Sequence, residues 1–273
     1  MSAGFVHLHT HTEYSVLDGA CKIHEILSRC KDYGMSACAI TDHGAVFGAV
    51  DFFLAADKAG IKPVLGCELY VAKSSRFDRS ARSPKESHSH LLLLCENEEG
   101  YHNLCRLSTI GFLEGYHYKP RVDDEVLAEY HAGLIAGSAC LGGEIPQLVL
   151  DDNLDGANAA IEKYVGIFGK DNFVIELMDH GMPEERQINP VLVELADRHG
   201  LKVIATNDCH YLDKSDAEAH EVLLCVQTNS TLNDENRFRF PTHEFHFRSP
   251  DEMKELFAQW PEAIANTLEI AAR

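Results

Sequence analysis

The residues best suited to chemistry are histidines and acidic side chains that recur at a spacing of two. His9 and His11 lie in Phe5-Val6-His7-Leu8-His9-Thr10-His11-Thr12, and Asp208 and His210 repeat the spacing near the far end of the chain. In an extended segment, residues two apart face the same side. Each pair therefore aims two ligand atoms at one point, and His7 is expected on the same face as His9 and His11, further down. Imidazole and carboxylate groups bind divalent metal. More metal-competent side chains occur between the pairs: His43 in Asp42-His43-Gly44, Glu68 in Gly66-Cys67-Glu68, and Cys140 in Gly137-Ser138-Ala139-Cys140.

Scattered residues of this kind need a frame that gathers them. Apolar runs of strand length alternate with helical patterns along the chain. Strands are predicted at 5–8, 37–41, 62–71, 90–95, 134–136, 173–178 and 202–206. Helices are predicted at 22–33, 46–59, 101–112, 154–168, 183–199, 214–227, 250–260 and 262–272. Stretch 76–89 reads as a polar, solvated loop, and 116–124 as a connection. Strand–helix alternation signals a parallel sheet with crossover helices. About seven such strands favour one TIM-like α/β barrel over 1–273, with its active site at the carboxyl ends of the strands. Closure makes the first and last strands neighbours, which sets His9-x-His11 beside Asp208-x-His210.

The 273 residues are 45% hydrophobic and 25% charged, with a formal net charge of −19. Such a surface repels a nucleic-acid backbone except where bound cations reverse the sign. The nine cysteines include no CxxC pair, which argues against a disulfide framework and for a reducing cytoplasm. No run is long enough to span a membrane. Met1-Ser2-Ala3-Gly4 leads straight into the first strand, with no signal peptide expected.

Six longer motifs are HLHTHTEYSVLDG, AITDHGAVFGA, AGIKPVLGCELY, ELMDHG, ATNDCHYL and LLCVQT…TL…RFRF. On these the whole chain closely resembles the polymerase and histidinol phosphatase (PHP) domain. The later motifs point to the branch found at the N-terminus of bacterial DNA polymerase III alpha subunits. The resemblance implies a distorted seven-stranded barrel holding up to three divalent metals, with His9, His11, Asp18, His43, Glu68, His90, Cys140, Asp208 and His210 as ligands. His90 precedes its apolar run instead of following it, and His88 is a near competitor for its place. A thiolate at Cys140 favours Zn2+, with Mn2+ or Mg2+ as alternatives. Asp208, His210 and His11 are the expected catalytic residues, and His180 and Arg121 are candidate substrate contacts. Asp42 is either a support for a ligand histidine or a turn residue. His7, His24 and His220 read as structural or surface residues.

The chemistry implied is phosphoester hydrolysis, because clustered cations bind a phosphate, activate water and steady the leaving oxygen. The expected activity is 3′-to-5′ exonuclease proofreading on DNA, with no polymerase active site in this chain. Two rivals stand beside it: a free-standing phosphatase for a small phosphate monoester, and a metal-stabilised scaffold within the polymerase. Expected partners are the 3′ end of single-stranded DNA, the remaining domains of the alpha subunit and, through them, a sliding clamp and a separate proofreading subunit. No membrane partner is expected.

Overall fold

The computed structural model describes residues 4–16 and 18–273. Residues 1–3, in the expected lead-in to the first strand, and Leu17 lie outside the described residues. In chain order the elements are α1 (Ile23–Asp32), β1 (Ala37–Ile40), α2 (Ala49–Ala59), β2 (Lys62–Ala72), α3 (Pro84–Ser87), β3 (His88–Cys95) and α4 (Glu98–Leu113). Then come β4 (Arg121–Val122), α5 (Asp124–Glu129), β5 (Leu134–Gly137), α6 (Glu144–Leu150), α7 (Leu154–Phe168), β6 (Phe173–Leu177) and α8 (Pro183–His199). The chain continues through β7 (Lys202–Ala205), α9 (Ala217–Thr228), α10 (Pro250–Leu256) and α11 (Pro261–Ala272).

The helices follow from their patterning. In α1 the buried residues are Ile23, Ile26, Leu27 and Cys30, one face at three- and four-residue spacing. Helix α8 starts on Pro183 and stops at Gly200, whose φ of 63° is the left-handed value that glycine adopts without a Cβ penalty. Asn97, Asn153 and Ser249 cap α4, α7 and α10 by accepting a backbone N–H with the side chain.

The strands form one curled sheet in the order β1-β2-β3-β5-β6-β7, with β4 paired to β2. The opening segment closes the curl. Ala39 N donates to His7 O and Thr41 N to Thr10 O, tying it to β1, while His11 N donates to Cys209 O and Cys209 N to His9 O beyond β7. Segment 5–12 is thus extended and stands where a first strand was expected, but it makes isolated pairings and no continuous ladder. Strict alternation does not hold along it. Val6 and Leu8 join an apolar cluster with Ala39, Leu92, Leu94, Ile135, Val174 and Ile204 from the strands and Ile270 and Ala271 from α11. His7 instead packs against Phe247 and bonds Arg248 O, so it does not share the position of His9 and His11. A larger cluster packs the helices against the sheet.

One expectation is corrected. The sheet is mixed, because β3 runs antiparallel to both β2 and β5. A strand in that direction starts where its neighbours end, so its first residues lie beside their carboxyl ends. His90 pairs with Tyr70, two residues beyond Glu68. Its place before the apolar run is what an antiparallel strand requires. The short β4, α5 and α6 were not expected. Stretch 76–89 is partly ordered, with α3 and the start of β3 inside it. Among the described residues no helix is long and apolar enough to cross a membrane, and all nine cysteines are free.

Candidate metal centre

Nine ligand-type side chains from the ends of different elements meet in one pocket. Barrel closure puts His11 Nε2 3.0 Å and His9 Nε2 3.4 Å from Asp208 Oδ1. The ring of His210 stacks on that of His11 at 4.3 Å, and the ring of His43 lies 4.2 Å from that of His11. His43 Nε2 is 3.3 Å from Asp18 Oδ2. Glu68 sits between two halves of the cluster. Its Oε1 lies 2.9 Å from His90 Nδ1 and 3.6 Å from Cys140 Sγ, while its Oε2 lies 2.8 Å from His43 Nδ1 and 3.7 Å from His11 Nε2. His90, and not His88, joins Glu68 and Cys140 within mutual ligand distance.

The fit to metal rests on atoms that have no other use. His9 Nε2, His11 Nε2, Asp18 Oδ1, His43 Nδ1, Glu68 Oε2 and Asp208 Oδ1 are all buried and lack a hydrogen-bond partner. Burying one polar atom unpaired costs on the order of 1–3 kcal/mol, so six in one pocket call for an occupant. Nitrogen and oxygen ligands about 2.0–2.2 Å from a tetrahedral ion stand roughly 3.3–3.5 Å from each other. The His9–Asp208 and His43–Asp18 separations of 3.4 Å and 3.3 Å match that spacing. The set Glu68, His90 and Cys140 mixes oxygen, nitrogen and sulfur in a way that suits zinc.

A surrounding layer orients these ligands. Glu176 accepts from His9 Nδ1 at 2.9 Å, from Thr206 Oγ1 and from Ala139 N. Ser15 Oγ donates to Asp42 and so accepts from His11 Nδ1 at 3.0 Å and from His43 N. With Nδ1 carrying the proton, Nε2 of both His9 and His11 presents its lone pair to the pocket. Asp42 therefore supports His11 through Ser15, and it also holds Thr12 N and Oγ1. His210 Nδ1 donates to Asp208 O, and His220 Nε2 to Asp18 O. Two backbones here are strained: Asp208 has φ 40° and Ala139, before Cys140, has φ 61°. Left-handed non-glycine residues are uncommon and gather at functional sites.

The electrostatics ask for positive charge. Burial alone would lower His9, yet the carboxylates of Asp208, Glu176 and Glu68 raise it to about 9. His11 is pushed down to about 3, first by burial and then by His43 and His210. Asp18, Glu68 and Asp208 stay below the ordinary carboxylate range, because nearby histidines outweigh their burial. Burial pushes the Cys140 thiol up, and Glu68 and Asp208 add to this. A divalent ion held by these residues would invert that preference and compete with the proton on His9. Beside His90 opens a groove of about 660 Å³, rimmed by Lys73, Lys85 and His88.

Two expected substrate contacts are corrected. Arg121 is buried, and all five of its N–H groups are spent on Gly115 O, Ser87 O and Oγ, Arg76 O and Asp78 O. His180 is buried, bonded through Nδ1 to Glu185 and through Nε2 to Asn207 O, and stacked on Phe245. Neither has a donor left for a ligand. Glu176 was missed from sequence, although a glutamate inside the apolar run Phe-Val-Ile-Glu-Leu was a visible signal. Ser15 gave no comparable signal. His24 is exposed and His220 buried.

Comparison with known proteins adds ancestry. The profile of the family described as PHP domain matches residues 7–180. DNA polymerase III subunit alpha of Thermus aquaticus is 48% identical over 273 residues, and that of Treponema pallidum (strain Nichols) 46% over 269. Each alignment covers 98% of this chain but only 22% and 23% of those relatives, so the chain spans less than a quarter of their length. A solved amidohydrolase from Chromobacterium violaceum superposes with a TM-score of 0.46 at 18% identity, covering 75% of this chain and 87% of that one.

Proposed function

This chain belongs to the PHP domain family, and we propose that its pocket is a multinuclear metal centre that hydrolyses the 3′-terminal phosphodiester of single-stranded DNA. The observation that carries the reading is the set of six buried, unpartnered ligand atoms aimed into one pocket. Its relatives' name, DNA polymerase III subunit alpha, supports DNA as the substrate and the other domains of such a subunit as partners. A single PHP domain over 1–273, in the cytoplasm, with a sliding clamp and proofreading subunit reached through the whole polymerase, is part of the same proposal.

We assign His9, His11 and Asp208 to one ion, His43, Asp18 and His210 to a second, and His90 and Cys140 to a third, with Glu68 shared between them. Zinc is the ion the sulfur ligand favours, with manganese or magnesium as the alternatives. Bound divalent ions would polarise the phosphate, lower the pKa of water and stabilise the departing oxygen. The chain's own part is to hold and exclude. Glu176 and Ser15 keep His9 and His11 in the tautomer that offers Nε2. The strained backbone at Asp208 fixes its carboxylate against both histidines. Burial of the ligand atoms keeps bulk water from competing for them.

The test is release of nucleotides from the 3′ end of a single-stranded oligonucleotide by metal-replete protein. Asp208→Asn removes a negative ligand at nearly constant shape and should lower the rate at least about a hundredfold. Cleavage of small phosphate monoesters with DNA spared would favour a phosphatase instead. Equal nuclease rates for the variant would leave the centre a structural one.

A further inference from the structure

The stretch that holds Arg121 carries a second cation with a different fate. Lys119 is half-buried, and its Nζ makes no hydrogen bond or ion pair with a described residue; it lies 5.4 Å from the centre of the Tyr70 ring. That ring stands 5.8 Å from the ring of His43 and 5.3 Å from that of His90, two of the assigned ligands. The turn is pressed onto the same pocket. A Cβ built on Gly44, the residue after His43, would come 2.9 Å from Pro120 Cγ. Burial lowers the Lys119 pKa, and the charge that opposes this is the Asp18 carboxylate, another assigned ligand.

The chain strains itself to keep this lysine there. Tyr118, just before it, has φ 62°, in the left-handed region that disfavours a non-glycine residue. The turn is pinned from both sides. His117 Nε2 donates to Ala81 O, Ser87 Oγ donates to His117 O, and Arg121 binds the carbonyl of Gly115. An ammonium partly removed from water, with no carboxylate among the described residues in hydrogen-bond contact, on a strained and clamped turn is a costly arrangement unless a ligand completes it. An anion between Lys119 and the metal pocket would do so, because ammonium and phosphate oxygen make a charge-assisted hydrogen bond.

We propose that Lys119 is the residue that binds the substrate's phosphate beside the metal centre, its ammonium taking a non-bridging oxygen. The proposal rests on reading the pocket as a phosphoester site. Lys119 contributes binding and positioning, and the bond-breaking chemistry stays with the ligand cluster.

The experiment compares metal-loaded wild type, Lys119→Met and Lys119→Arg by calorimetry with inorganic phosphate, by metal content, and by KM and kcat on a single-stranded oligonucleotide. Lys119→Met should weaken phosphate binding about tenfold or more, the worth of one charge-assisted hydrogen bond. KM should rise to a similar extent with metal content unchanged, and Lys119→Arg should recover part of the loss. Wild type that binds phosphate through Lys119 yet cleaves no DNA supports this assignment while ending the nuclease reading. Phosphate bound equally well by Lys119→Met, metal lost with the lysine, or no phosphate binding by wild type would each overturn it.

Discussion

Glu68 shows how much one buried carboxylate can organise. Its two oxygens face different histidines, so it belongs to both halves of the cluster. Such a residue needs its neighbours held still, and Glu176 does this for His9. Glu176→Gln leaves one acceptor oxygen where there were two, so with that oxygen on Ala139 N the amide NH2 faces His9 Nδ1, which loses both its acceptor and the charge behind it. We expect metal affinity to fall about 10- to 100-fold, as is usual when a group that orients a ligand is changed. Titration against a competing chelator measures it, and an unchanged affinity would remove the orienting role. At this scale the ligand types were legible, because histidine, acid and cysteine stand out by chemistry alone. Which cation near 119–121 is free was not. Arg121 was the cation singled out in sequence and Lys119 was not, and only the carbonyls that fold around Arg121 reverse that order.

At the scale of elements, the mouth of the barrel depends on a strand that runs against its neighbours. Helix-then-strand rhythm was readable from hydrophobic periodicity, and β1, β2, β5, β6 and β7 fall where the pattern puts them. The direction of β3 was not readable. It follows from the 73–83 connection, whose polar residues carry no directional signal and whose order comes from long-range bonds. Arg76 binds Asp123, Glu114 and Glu125, and Arg121 gathers carbonyls of residues 76, 78, 87 and 115. Arg121→Met would leave those buried acceptors unpaired. It should destabilise the fold by about 2–5 kcal/mol, read as a lower denaturation midpoint in urea. A loss below about 0.5 kcal/mol would contradict the clamp and make Arg121 a candidate substrate contact again.

For the whole molecule, the acidic surface and the buried histidines set the response to conditions. On the proposed reading, the net charge of −19 means that DNA would be attracted only by bound metal and the few cations at the rim of the pocket. His7 is buried and neutral, its pKa lowered from 6.5 to about 4 chiefly by burial. An unfolded His7 takes a proton near pH 6.5, whereas the folded one refuses it until about pH 4. Stability from this residue is therefore complete above pH 6.5 and lost as pH falls from 6.5 towards 4. The loss is about 3 kcal/mol. Urea titrations across that window should show a shallower pH slope for His7→Gln than for wild type; parallel slopes would refute the assignment.

The central claim, a multinuclear metal centre that acts on DNA, is tested most directly by measuring metal and nuclease activity on one sample prepared without chelator. Elemental analysis should find more than one zinc or manganese ion per chain. The same sample should release nucleotides from a 3′ end, with Asp208→Asn at least about a hundredfold slower. Trace metal only, or equal rates for wild type and Asp208→Asn, would contradict it.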